Sequence, residues 1–449
     1  MILRRLRRAC TQALRSLGFA AVAAGLALTV SLGVPAARAA APAAADADAA
    51  RQVLVLLRLP PDHYHPGGAY ADSYGDGAGM AARQRVAQRI ATAHGLKLVT
   101  NWPIPLVGVD CFVMAVPVGQ SPEQVALVLA RDPDVAGAQP MHVYRTQASA
   151  LSPGKMTVAA GRDAARDELA AEVRHNDPLY LAQPAARDWR LAELHTVATG
   201  RNVKVAVIDS MVDFSQPDLA GQIQTRQDFV LDHPKGAEQH GTGVAGIIAA
   251  VADNHVGIAG VAPHAQLMAL RACWQEGSAG AVCDTLSLAK ALYFAIGHNA
   301  QVINLSLSGP TDPLLGRLID VALARGMVVV GALDPNAANG GFPASHAGVV
   351  AVSDDPATTA PGALVAPGRE TPTTQPGGRF AFVSGSSYAA AHVSGLFALM
   401  RERNGKAATS VSLVTFKPGG GAIDTCASLI RAAGAACPRS GGTSTVARE

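Results

Sequence analysis

The chain has 449 residues, room for two or three domains of roughly 100–200 residues each. Its net charge of +3 comes from the start: residues 1–39 hold six arginines and no acidic residue, so the rest has 31 basic against 34 acidic residues, or −3. That balance gives no support to a nucleic-acid or anionic-membrane binder.

The first segment reads as an export signal. Arg4, Arg5, Arg7, Arg8 and Arg15 precede a mainly apolar stretch from Leu17 to Val34, and Ala37-Arg38-Ala39 forms a small-x-small cleavage site. Gly25, Gly33 and Pro35 break the stretch, which favours removal near Ala40 over a membrane anchor. No later stretch is long enough to span a bilayer, so the expected location is secreted or periplasmic. Of the six cysteines, Cys10 leaves with the signal and Cys111 falls in a first folded unit. Cys273, Cys283, Cys426 and Cys437 remain; export makes two disulfides the expected arrangement, and sequence-local pairs are the simplest of the three connectivities. Zinc is the rival reading, weakened by wide spacings and the lack of a neighbouring histidine.

Residues 52–145 read as one compact unit. "QVLVLLRLP" alternates as a strand, "AARQRVAQRIATAHG" has helical spacing and stops at Gly95, "CFVMAVP" is a strand, "SPEQVALVLARDP" a capped helix, and "VAGAQPMHVYR" a last strand. That order predicts a small open-faced α+β sandwich. The Gly, Tyr and Asp-rich stretch from 60 to 80 lacks periodicity and reads as a solvated insertion. Residues 146–175 are polar and Ala-rich, a linker open to proteolysis.

From Asn176 onward, apolar runs alternate with amphipathic segments. "VKVAVID", "QLMALRA", "QVINLSL", "MVVVGA" and "GVVAVS" read as strands buried on both faces, with helical spacing between them. The predicted fold is α/β, a mostly parallel sheet with helices on both faces. Sites in such folds lie beyond the carboxyl ends of the strands, and three chemically active residues fall there. Asp209 ends "VAVID", His240 opens "HGTGVAGIIAAVA", and Ser387 opens and caps the helix of "GSSYAAAHVSG". Alone, each is more often structural; together they supply a nucleophile, a base for its proton, and a carboxylate to orient that base.

The successive stretches "VAVIDSMVDFSQPDL", "HGTGVAGIIAA", "GIAGVAPHAQL", "INLSLSGP", "VAPG" and "GSSYAAAHVSG" resemble, in the same order, the signatures of the subtilisin-like serine proteases. The resemblance runs from residue 176 to about Arg403. It implies a secreted serine endopeptidase, with Asp209 as orienting acid, His240 as general base and Ser387 as nucleophile. The implied division is a signal peptide at 1–39, an inhibitor-like propeptide at 40–145, a linker with the processing site at 146–175, a catalytic domain at 176–408, and an extension at 409–449 with a Cys426–Cys437 clip. Polypeptide substrates and the chain's own propeptide are the implied partners of a monomer.

The same resemblance implies that Ser306, Leu307 and Ser308 offer backbone to an extended peptide. "WQEGSAGAV", bracketed by Cys273 and Cys283, takes the opposite cleft wall. Gly341 floors an open primary pocket, with a lean toward large apolar side chains. No cofactor is implied for the chemistry; a structural calcium is, with Asp218 and Asn254 on its oxygen-ligand positions.

The pattern departs at the oxyanion donor. The position of the family's asparagine falls on Pro335, after Asp334, and Asn336 reaches it only if the chain inserts one residue. Met211, Gly243 and Ala391 replace the residues usual beside the triad. A silent binding domain, or an acyl-transferase or esterase on the same fold, are the alternatives these departures raise.

Overall fold

The computed structural model describes residues 51–59, 77–150, 174–231, 233–276, 280–358, 360–405 and 413–430. The export signal, most of the 60–80 insertion, most of the linker and Cys437 lie outside them.

The N-terminal unit is an antiparallel sheet with two helices. Strands β1 (Gln52–Arg58), β2 (Lys97–Ile104), β3 (Val109–Ala115) and β4 (Val135–Pro140) stand in the order β2-β3-β1-β4, and helices α1 (Gly77–Ala93) and α2 (Pro122–Leu129) cover one face. The alternation in "VLVLL" divides between two cores. Val53, Val55 and Leu57 pack with Ile90 of α1 and Leu129 of α2, while Leu54 and Leu56 face a core shared with the larger unit. Strand β2 was not among the expected elements; its residues are only partly buried, so apolar alternation is weak.

The larger sheet has nine strands, and its central run is parallel. β7 (Lys204–Asp209), β8 (Ile223–Asp228), β9 (Gln266–Arg271), β12 (Val302–Leu305), β14 (Val328–Ala332), β15 (Val350–Ser353) and β16 (Leu364–Val365) pair parallel, with β20 (Gly420–Ile423) beside β16 and β19 (Thr415–Lys417) antiparallel to β20. Helices lie on both faces, as the two-sided burial of "VAVID" requires. Val205 and Val207 of β7 share a core with α3 (Gln239–Ala249) and α6 (Ser386–Asn404). Ala206 and Ile208 face the opposite core with α4 (Thr285–Gly297) and α5 (Pro313–Ala324). The N-terminal sheet packs on α4 and α5: Trp102 meets Tyr293 edge to face at 5.2 Å, and Gln139 Oε1 accepts the Leu314 N–H at the start of α5.

The expected strand over "VAGAQPMHVYR" divides at Met141-His142. Its first part is β4; its second, β5 (Val143–Thr146), leaves the small sheet and inserts between β11 (Gly280–Asp284) and β13 (Leu307–Ser308), beyond which β10 (Cys273–Glu276) completes a four-stranded sheet. Farther on, β6 (Ser149–Ala150) pairs with β18 (Arg379–Ser384), itself in a hairpin with β17 (Thr371–Gln375). The first residues of the expected linker are therefore held strand, because their backbone groups find partners in both cleft walls.

Candidate active site

Three elements carry the three chemical groups, and those of Asp209 and His240 meet directly. Asp209 is the last residue of β7, His240 the second of α3, and both are buried. His240 Nδ1 lies 2.7 Å from Asp209 Oδ1, which also accepts the Ser210 N–H at 2.7 Å. A carboxylate on Nδ1 fixes the tautomer that leaves Nε2 as acceptor. His240 Nε2 and Asp209 Oδ2 are buried and have no hydrogen-bond partner. Met211, one of the departures beside the expected triad, is tied to Glu238 by its N–H on the carboxylate at 2.6 Å and by its carbonyl on the Glu238 N–H at 2.8 Å.

Ser387 is the second residue of α6, and Gly385 holds the cap position; the expected cap role of Ser387 is thus corrected. Its Oγ is spent elsewhere: it donates to the Ser306 carbonyl at 2.8 Å and accepts the Gln147 N–H at 2.9 Å. The Ser387 N–H donates in turn to the Gln147 carbonyl at 3.1 Å. Gly385, at φ +143°, makes room for that approach, since a Cβ there would sit 2.2 Å from the Gln147 oxygen. Behind the serine, Ser394 Oγ donates to Asn304 Oδ1, Asn304 Nδ2 to Ser306 Oγ, and Ser306 Oγ to the Ser387 carbonyl, each at 2.9 Å. This buried chain locks β12 to α6.

The expected peptide-binding backbone is occupied by the chain's own strand. Leu307 pairs with Thr146 and Ser308 with Arg145 on one side, Val282 with Arg145 and Cys283 with Tyr144 on the other. The Cys273–Cys283 disulfide joins β10 to β11, as expected for the opposite wall. Cys426 is also disulfide-bonded. Cys111 is free and buried, and burial first of all pushes its thiol up to about 12. Gly341 lies against Ser308, whose buried Oγ has no hydrogen-bond partner.

Asn336 is exposed, and its N–H donates to Asp334 Oδ1 at 2.8 Å in a turn. His392 is buried, donates from Nδ1 to the Tyr388 carbonyl at 2.8 Å and meets Trp189 edge-on, so its part is structural. Sequence reasoning missed Gln147 and Tyr144; the alternation in "HVYRT" was their only local signal.

The calcium positions do not offer an oxygen cage. Asp218 Oδ1 accepts Asn254 Nδ2 at 2.9 Å, Oδ2 accepts the Ile258 N–H at 3.0 Å, and Asn254 Oδ1 accepts the Val256 N–H at 2.7 Å. Each of these oxygens faces an N–H rather than a common point, and burial pushes the Asp218 carboxyl up to about 6. Nearby, His175, Asp177 and Asp253 converge, but His175 pairs with Asp253 at 2.9 Å and Asp177 accepts the backbone N–H of Asp253 and Asn254.

Comparison with known proteins matches residues 200–417 to the subtilase family. The chain is 39% identical over 210 residues to a thermophilic serine proteinase of Bacillus sp. (strain AK1), covering 44% of this chain and 51% of that protein. It is 34% identical over 257 residues to subtilisin E of Bacillus subtilis (strain 168), covering 53% of this chain and 64% of that protein. It is 32% identical over 251 residues to thermitase of Thermoactinomyces vulgaris, covering 53% of this chain and 88% of that protein. Fervidolysin of Fervidobacterium pennivorans, a keratinolytic enzyme related to subtilisin, shares the fold at a TM-score of 0.58 and 22% identity, over 84% of this chain and 60% of that one. The chain thus spans between half and two thirds of the length of the first two relatives. With most of thermitase matched at this identity, the chain belongs to the subtilase family.

Proposed function

We propose that this chain is a serine endopeptidase, exported as a precursor and activated by cutting itself between Gln147 and Ala148. The observation that carries the reading is the path of residues 143–150 through the cleft, with the Gln147 carbonyl on the Ser387 N–H. A peptide held as a strand on both walls, with one carbonyl at a helix N-terminus beside a serine, is arranged as a substrate.

In the reaction, Ser387 Oγ gives up its bond to Ser306 and passes its proton to His240 Nε2, while its electron pair attacks the Gln147 carbonyl carbon. Asp209 steadies the imidazolium through Nδ1. The oxyanion forms on the Ser387 N–H, at the positive end of α6. His240 then protonates the departing Ala148 nitrogen, and water, activated by the same histidine, hydrolyses the acyl-enzyme. All of these groups belong to the chain. The described residues of the N-terminal segment, 51–59 and 77–147, packed on α4 and α5 with their last strand in the cleft, act as an intramolecular inhibitor. The enzyme's other substrates are polypeptides, and it works as a secreted or periplasmic monomer.

A silent binding domain is the second reading, favoured by Pro335 at the donor position and by the engagement of Ser387 Oγ away from His240 Nε2. The test is labelling with a fluorophosphonate after removal of the N-terminal segment, in the wild type and in His240→Ala. Labelling of the wild type alone supports the protease; no labelling of either supports the silent domain.

A further inference from the structure

We infer that this protease selects substrates with tyrosine as the fourth residue before the cleaved bond, and that Asp312 reads the phenol hydroxyl. The inference rests on the protease reading, with β5 standing for a substrate strand and Tyr144 for its fourth residue.

Tyr144 is fully buried although it belongs to a strand laid into a cleft. Its ring lies over Gly309, where a Cβ would come within 2.5 Å of Tyr144 Cδ1, so the glycine opens a slot that any side chain would fill. Phe342 closes the slot, with ring centroids 6.3 Å apart. A slot of this kind would take phenylalanine as readily as tyrosine. What distinguishes the two is at its end: the Tyr144 hydroxyl is 3.2 Å from Asp312 Oδ2 and 3.2 Å from the Pro310 carbonyl.

Asp312 has two separate tasks. Its Oδ1 caps α5, accepting the N–H groups of Leu314 at 2.9 Å and Leu315 at 3.0 Å. A capping aspartate needs no more than that. Yet Oδ2 turns toward the slot, where it accepts Thr285 Oγ1 at 2.8 Å and shares the Tyr144 hydroxyl proton with the Pro310 carbonyl, with His142 Nδ1 at 3.1 Å. Burial works against the charge, but the hydrogen bonds, that of His142 foremost, outweigh it and hold the carboxyl below its ordinary range. Of the three side-chain donors on Oδ2, only Thr285 lies outside the N-terminal segment. With that segment gone, Oδ2 keeps Thr285 of the three and is open to water; a chain laid in the slot covers it again, and one that brings a hydroxyl supplies a second donor. A phenylalanine brings none, and a buried charge short of a donor is the costlier state. The helix cap fixes the carboxylate before the substrate arrives, so little ordering is lost on binding.

The test uses mature enzyme prepared from the full chain and two peptides, Ala-Val-Tyr-Arg-Thr-Gln-Ala-Ser-Ala and its phenylalanine counterpart, with alanine at the place of His142 so that only the hydroxyl differs. In the wild type, kcat/KM for the tyrosine peptide is expected to exceed that for the other by about 10- to 100-fold. Asp312→Asn keeps one oxygen for the α5 cap and turns an amide donor to the slot, and the ratio should fall below about threefold. Gly309→Ala should depress both peptides together. Equal cleavage in the wild type, or a ratio that survives Asp312→Asn, overturns the inference. If neither peptide is cut and Ser387 takes no fluorophosphonate, the protease reading itself fails, and a measurement without turnover decides the pocket. In full-length Ser387→Ala, adding Tyr144→Phe should speed amide exchange at residues 143–147 about 10-fold; unchanged exchange overturns the reading of the hydroxyl.

Discussion

Ser387 and Gln147 are joined twice: the serine N–H donates to the Gln147 carbonyl at 3.1 Å, and the Gln147 N–H donates to the serine Oγ at 2.9 Å. Ser387 Oγ thus sits against one peptide unit while its proton is committed to Ser306. On the proposed protease reading, Oγ exchanges these bonds for His240 Nε2 before it attacks.

The pairing selects a bond. Full-length protein should break between Gln147 and Ala148, giving a larger fragment that begins at Ala148, and Ser387→Ala should remain one chain. Intact mass over time reads both. A first cut within 151–173, or equal cutting of the two proteins, would remove the assignment of Gln147.

Asn336 is not expected to serve the oxyanion. It is exposed and lies in a turn whose backbone is tied to Asp334. Asn336→Ala should change kcat/KM by less than about threefold, whereas loss of a true amide donor costs about 100- to 1000-fold. Steady-state kinetics on a peptide substrate separates the two.

The parallel sheet was legible in the sequence because strands buried on both faces are continuous apolar runs, and Asp209 drew notice because it stands where one of those runs ends. "VAVID" shows both at once. What failed was local: Ser387 is the second residue of α6, and the cap belongs to Gly385, whose φ of +143° no composition announces. Strand β2 was missed because its burial is partial. The division of "VAGAQPMHVYR" was hidden for a different reason: β5 draws its partners from residues more than 130 positions away, and alternation says that a segment is a strand without saying whose. Asp312 carried no signal beyond that of a helix cap before Pro313.

The Cys273–Cys283 disulfide holds the wall that pairs with residues 143–145. Replacing both cysteines by serine should lower stability by about 2–3 kcal/mol, from the short loop that the bond closes in the unfolded chain. Because β11 pairs with three residues of β5 and β13 with two, KM for an extended peptide should rise more than kcat falls. Urea unfolding in a Ser387→Ala background and peptide kinetics in the active one measure the two effects; unchanged KM would mean that the hairpin holds its shape without the bond.

His392 gives a stability signature in acid. Burial is the main cause that lowers its pKa to about 4, against the opposing effect of its bond to the Tyr388 carbonyl. The unfolded chain therefore takes up this proton from about pH 6.5 downward, while the folded chain excludes it until about pH 4. Its contribution is fully present above pH 6.5 and is lost as pH falls through that window, to a total of about 3 kcal/mol. His392→Leu should cost stability at pH 7.5, where the bond to Tyr388 is lost, yet recover about 2–3 kcal/mol relative to the wild type by pH 4.5. His195 shifts in the same direction, also chiefly through burial, but it is common to both proteins and cancels in the difference. Urea unfolding of the pair at several pH values, with Ser387→Ala in each to prevent self-digestion, gives that difference directly; parallel curves would show that His392 is protonated in the folded state at no extra cost.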